Sequence, residues 1–120
     1  MNEILSQKAQ ELGRLLGQSQ EYQAVTRAQQ RLTDDREAVA AMNRLNELEN
    51  EVTTSLQNGL EPSDAVKGEY ERVFSALQSS PAYQEYVAAQ SNFDKQLVRV
   101  NEEISRGIES GSRSRIILPS

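Results

Sequence analysis

The sequence predicts an all-α protein of four to five helices, with long antiparallel helices that pair into a dimeric helical bundle. Three observations carry this. Apolar residues recur every three or four positions through most of the 120 residues. The periodic segments are separated by residues that start and stop helices: Ser19, Asp34-Asp35, Asn58-Gly59 through Pro62-Ser63, and Ser80-Pro81. Finally, 37% hydrophobic and 26% charged residues suit slim amphipathic helices, not a thick globule. Three prolines and scattered β-branched residues do not read as a sheet.

A first helix is predicted over 3–16, where Ile4, Leu5, Ala9, Leu12, Leu15 and Leu16 share one face. Gly17 is its expected stop, through a left-handed conformation. Ser19 is placed to cap a second helix over 20–32 by accepting from an unpaired backbone N–H; Tyr22, Val25, Ala28 and Leu32 form its face. Asp34, with Glu37 three residues on, reads as a capping-box variant that restarts the chain. The third helix, 35–57, carries Val39, Met42, Leu45, Val52 and Leu56, with Leu48 at the margin and Glu49 interrupting the stripe. The second and third helices also fit one kinked rod.

Gly59 and Pro62 mark the clearest loop. Ser63 caps a fourth helix over 64–78, whose face is Val66, Tyr70, Val73, Phe74 and Leu77. Ser80 caps the fifth, with Pro81 at the first helical position, where its missing N–H is harmless. That helix is predicted over 81–109. Tyr83, Tyr86, Gln90, Phe93, Leu97, Val100 and Ile104 alternate by three and four, a heptad seam. Domain organisation follows: a single helical domain over 1–110 and a C-terminal tail over 111–120. The tail's Arg113 and Arg115 fit a mobile end, while Ile116, Ile117 and Leu118 fit docking on a neighbouring subunit.

A weak repeat is present. Ser19, Tyr22-Gln23, Ala28-Gln29 and Leu32 fall at the same offsets as Ser80, Tyr83-Gln84, Ala89-Gln90 and Phe93. Two capped amphipathic helices can converge on such a pattern. The other reading is two equivalent packing units around a shared core.

Composition narrows function. A net charge of −5 opposes direct nucleic-acid binding and binding to an anionic membrane surface. Cysteine and histidine are both absent, so thiolate chemistry, a Ser-His pair and the Glu-x-x-His di-metal signature cannot be written. No catalytic residue, cofactor or metal is expected. Glu47, Glu49, Glu51, Glu102 and Glu103 read as solvated charge. Gly68 and Gly107 cost about 1 kcal/mol each inside helices and suggest a tight crossing or a bend. The N-terminus lacks the basic and apolar regions of a signal peptide, so the expected location is cytoplasmic.

Leu12-Gly13-Arg14-Leu15-Leu16, Ser19-Gln20-Glu21-Tyr22, Asp35-Arg36-Glu37-Ala38, Ser80-Pro81, Ala88-Ala89-Gln90 and the Ile117-Leu118-Pro119 ending together resemble the YlbF/YmcA family of small helical regulators, and within it the cysteine-free YheA-like branch. The resemblance spans about residues 4–119. It implies an all-helical fold, association into dimers or higher oligomers, and a non-enzymatic role. Some relatives act in a complex that influences RNA processing, competence, sporulation and biofilm formation in bacteria, and those relatives carry cysteines linked to iron–sulfur binding. This chain has no cysteine, so that cofactor role does not transfer.

The expectation is a regulatory or scaffolding protein that contacts other chains through helices, with a homo-oligomer among its assemblies. Tyr83, Tyr86, Gln90, Phe93, Leu97, Val100 and Ile104 form the expected main interface; Tyr22, Val25 and Leu32 form a secondary one. The alternative is a chaperone-like module that holds apolar segments or ligands between its helices.

Overall fold

The computed structural model describes the backbone of residues 1–117 and the side chains of 1–113. Five α-helices follow in order, with no strand among the described residues: α1 Glu3–Gly17, α2 Gln20–Asp34, α3 Arg36–Gln57, α4 Asp64–Gln78 and α5 Pro81–Ile117. Starts are set by side-chain oxygens that satisfy otherwise unpaired N–H groups. Ser19 Oγ accepts from Tyr22 N at 3.2 Å, Ser63 Oγ from Val66 N at 3.2 Å, and Ser80 Oγ from Tyr83 N at 3.3 Å. Asn2 Oδ1 does the same for Ile4 N at 2.8 Å.

Three boundaries depart from the sequence reading. Asp35, not Asp34, breaks the second helix from the third. It sits in extended backbone at φ −90°, ψ 101°, ends α2 and caps α3, accepting from Ala38 N at 3.1 Å. Gly17 does not turn left-handed. Gln18 follows it in right-handed geometry, and among the described residues only Gly59 has positive φ, at 73°. α5 continues to Ile117, through the glycines and serines expected to end it. No proline falls there to remove an N–H, and Arg106–Glu103 and Arg113–Glu109 pairs lie along the extension. The expected docking of Ile116, Ile117 and Leu118 lies outside the described side chains.

Two broken rods pack side by side. The α2–α3 rod runs antiparallel to the α4–α5 rod: Tyr22 meets Phe93 and Arg31 meets Glu85, while on the other side of the break Arg44 meets Glu69. Both rods break at the same level, where Asp35 and Ala38 line a shallow groove with Ala76, Ser79 and Ser80. One core cluster lies beside the break, with Leu32, Ala38, Leu45 and Leu77 buried against Tyr70, Val73, Tyr83 and Tyr86. The other lies where α2 crosses α5, with Val25, Ala28 and Ala89 buried against Tyr86 and Phe93. Small residues at 28 and 89 let the two backbones approach. Leu48, expected at the margin of the α3 stripe, is instead completely buried.

No third layer covers these rods. The molecule measures 71 × 38 × 22 Å, and its Cα radius of gyration is 21.9 Å. A compact chain of this length has a radius near ~14 Å.

Candidate functional site

The α5 stripe predicted as a seam is the stripe that packs, but its two halves differ. Tyr83 and Tyr86 pack into the cluster beside the break, and Phe93 into the α2–α5 crossing. Val25 and Leu32 of the secondary stripe are buried there within the subunit. Tyr22 is 42% exposed and meets Phe93 edge-on, ring centroids 5.2 Å apart. Gln90 is half-buried and donates from Nε2 to Asp94 Oδ1 at 3.1 Å; the buried residue at that level is Ala89. Leu97 and Val100 are half-buried, and Ile104 is 45% exposed. From Asn101 to Arg113 every described side chain of α5 is exposed. The first half of the rod is therefore met by α2, and the second half extends past it.

α1 is the least covered helix. It holds no buried residue, and Ile4, Leu5 and Leu15 are 68%, 58% and 66% exposed. A groove of about 790 Å³ opens between it and the far half of α5. Leu12, Val100 and Ile104 supply its apolar surface, and Glu21, Lys95, Arg99 and Glu103 its charges. A latch lies at its inner end: Gln96 Nε2 donates to Glu21 Oε2 at 2.8 Å, and Gln96 Oε1 lies 3.2 Å from Ser19 Oγ, whose shorter contact is to Leu16 O at 2.6 Å. Sequence periodicity assigned Gln96 no role, because it falls just off the apolar stripe. A second groove, about 580 Å³, lies between α3 and α4 beside Glu49, Val52, Pro62 and Tyr70.

The crowded carboxylates of α3 serve a cation. Arg44 donates from Nε to Glu69 Oε2 and from Nη2 to Glu69 Oε1, both at 2.7 Å, and from Nη1 to Glu47 Oε2 at 2.8 Å. Glu51 lies 4.0 Å from the same guanidinium. The paired hydrogen bonds from Arg44 hold the Glu69 carboxyl below the usual carboxylate range, and the same bonds raise Arg44 above its own. Glu49 instead accepts from the Tyr70 hydroxyl at 3.4 Å. Among the described residues no three acidic side chains converge as metal ligands would, and no described helix is long and apolar enough to cross a membrane. A Cβ on Gly107 would meet nothing within 4 Å and one on Gly68 only the Arg72 side chain, so neither glycine marks a tight crossing.

Residues 5–109 match the family described as Control of competence regulator ComK, YlbF/YmcA. No curated protein and no solved structure matches the chain.

Proposed function

The chain belongs to the YlbF/YmcA family of regulators, and on that premise we propose that it is a non-enzymatic regulatory or scaffolding protein of the bacterial cytoplasm, working through helix-mediated contacts with other chains and with copies of itself. One observation carries the reading. The subunit exposes 9421 Å² of surface, whereas a compact monomer of 13.4 kDa exposes about 6,500 Å². The excess, near ~3,000 Å², is of the size that permanent assemblies bury. Much of it lies on α1 and the far half of α5, where apolar residues recur at helical spacing in water. Amphipathic helices of this kind gain stability when a partner covers the stripe. Alternating charges along both helices, Lys8 and Glu11 on α1 and Lys95, Arg99, Glu103 and Arg106 on α5, favour selective docking over indiscriminate sticking.

Native mass spectrometry with pull-down tests this. The expected result is a defined multiple of 13.4 kDa, together with retained protein partners. Ile104→Asp should lower the mass or release partners without loss of helix content. A monomer at micromolar concentration that retains no protein would refute the reading. General suppression of aggregation in unrelated proteins would favour the chaperone-like alternative.

A further inference from the structure

The repeat glimpsed between Ser19 and Ser80 extends much further in the structure. Adding 61 to each residue number carries α1, Glu3–Gly17, onto α4, Asp64–Gln78, end to end. The caps Asn2 and Ser63 correspond, and so do Ser19 and Ser80. The turn between the helices shares two backbone bonds. Gln18 N donates to Arg14 O at 3.1 Å, and Ser79 N to Ser75 O at 3.1 Å. Ser19 N donates to Leu16 O at 3.2 Å, and Ser80 N to Leu77 O at 3.0 Å. Backbone angles agree too: Gln18 at φ −95°, ψ −5° and Ser79 at φ −81°, ψ −11°. Ala28 and Ala89, both buried at the α2–α5 crossing, are also 61 apart. Convergence of two capped helices does not produce this agreement in helix length, turn geometry and packing contact together.

The correspondence fails at one point. Asp35 breaks the first rod, and α3 then lies against α4, burying Leu77 among Ala38, Leu45 and Val73. Its counterpart Gln96 does not break α5, which runs on to Ile117, and Gln96 bonds to Glu21 at the start of α2. The far half of α5 does not cover α1. The α1 positions equivalent to Val66, Val73 and Leu77 of α4 are Leu5, which is exposed, and Leu12 and Leu16, which are half-buried where Leu77 is buried; of these Leu12 lines the 790 Å³ groove.

We infer that this groove is a helix-docking slot, taking from a partner protein one amphipathic helix that lies on α1 as α3 lies on α4. The inference rests on the proposed interaction role and specifies its site and ligand. Charge sets a second requirement. Glu69, which Arg44 of α3 grips, corresponds to Lys8 on α1. Among the described residues Lys8 pairs with Glu11 of its own helix, at 3.6 Å, while the groove beside it is mixed in charge, with Lys95 and Arg99 set among Glu21 and Glu103. The partner helix therefore carries an apolar stripe like that of α3, with a carboxylate where α3 has Arg44.

Labelled peptides of residues 36–57 test this against the full chain by fluorescence anisotropy, one with the native sequence and one carrying Arg44→Glu. Their ordering costs nearly cancel in the comparison. The Arg44→Glu peptide should bind about threefold more tightly, the ratio typical of an exposed charge pair. Lys8→Glu in the protein should reverse the preference, and Leu12→Asp should abolish binding of both. Neither substitution touches a buried residue, and circular dichroism verifies that helix content is kept. No binding, or a peptide order unmoved by Lys8→Glu, overturns the slot. So does a loss of oligomer mass with Leu12→Asp in place of a loss of peptide, which would assign the groove to a second copy. Partners still retained in pull-down while both peptides fail would remove the slot alone and leave the interaction reading standing.

Discussion

Ala28 gives the most direct test of how the rods pack. Its side chain has no exposed surface, and it faces Ala89 at 7% exposure where α2 crosses α5. Ala28→Leu would add an isopropyl group to this contact, with Val25, Tyr86 and Phe93 packed around it. Overpacking of this kind costs about 2 kcal/mol. For a domain of this length that lowers the melting temperature by roughly 6–12 °C. In urea the midpoint should fall by about 1.5 M, for a slope of roughly 1.3 kcal/mol/M. Ala88→Leu is the control, because Ala88 lies one residue away on α5 with its side chain exposed; its effect should stay within about 0.5 kcal/mol. Both variants are melted by circular dichroism at one protein concentration, since association shifts apparent stability. If Ala28→Leu melts no lower than Ala88→Leu, α2 and α5 do not approach closely at this level, and the antiparallel pairing of the rods is wrong.

Asp35→Ala removes the oxygen that accepts from Ala38 N and should cost about 1 kcal/mol, read as a fall of a few degrees in melting temperature; an unchanged melt would mean that the break does not depend on its cap. The Arg44–Glu69 pair makes stability depend on pH in a defined direction. The Glu69 carboxyl is held below its unfolded value, so its contribution is complete above that value, near ~4.3, and is lost as pH falls through the folded one. Arg44, raised above an already high value, stays protonated throughout. Wild type should therefore lose more melting temperature than Glu69→Gln on acidification below about pH 5, and parallel pH profiles would contradict this.

Much of the fold is legible along the chain because helix boundaries are local chemistry. Ser19, Ser63 and Ser80 cap their helices through oxygens that reach only three residues ahead. Gly59 and Pro62 mark a turn that no neighbour needs to enforce. Where the reading slipped, two local candidates competed. Asp34 and Asp35 both suit a cap, and register at the break selects Asp35. Periodicity placed Gln90 on the seam, although Ala89 is the residue with room to face α2.

The sequence by itself determined four to five helices, most of their amphipathic faces and the absence of thiolate and imidazole chemistry, because these follow from the side chains each short segment contains. Only the tertiary structure decided which faces are covered. Gln96, in the middle of α5, bonds to Glu21 of α2, more than seventy residues away in sequence. α3 helps bury Leu77 of α4 while α1 holds no buried residue, and the groove between α1 and α5 is lined by side chains distant in sequence, which no local pattern encodes.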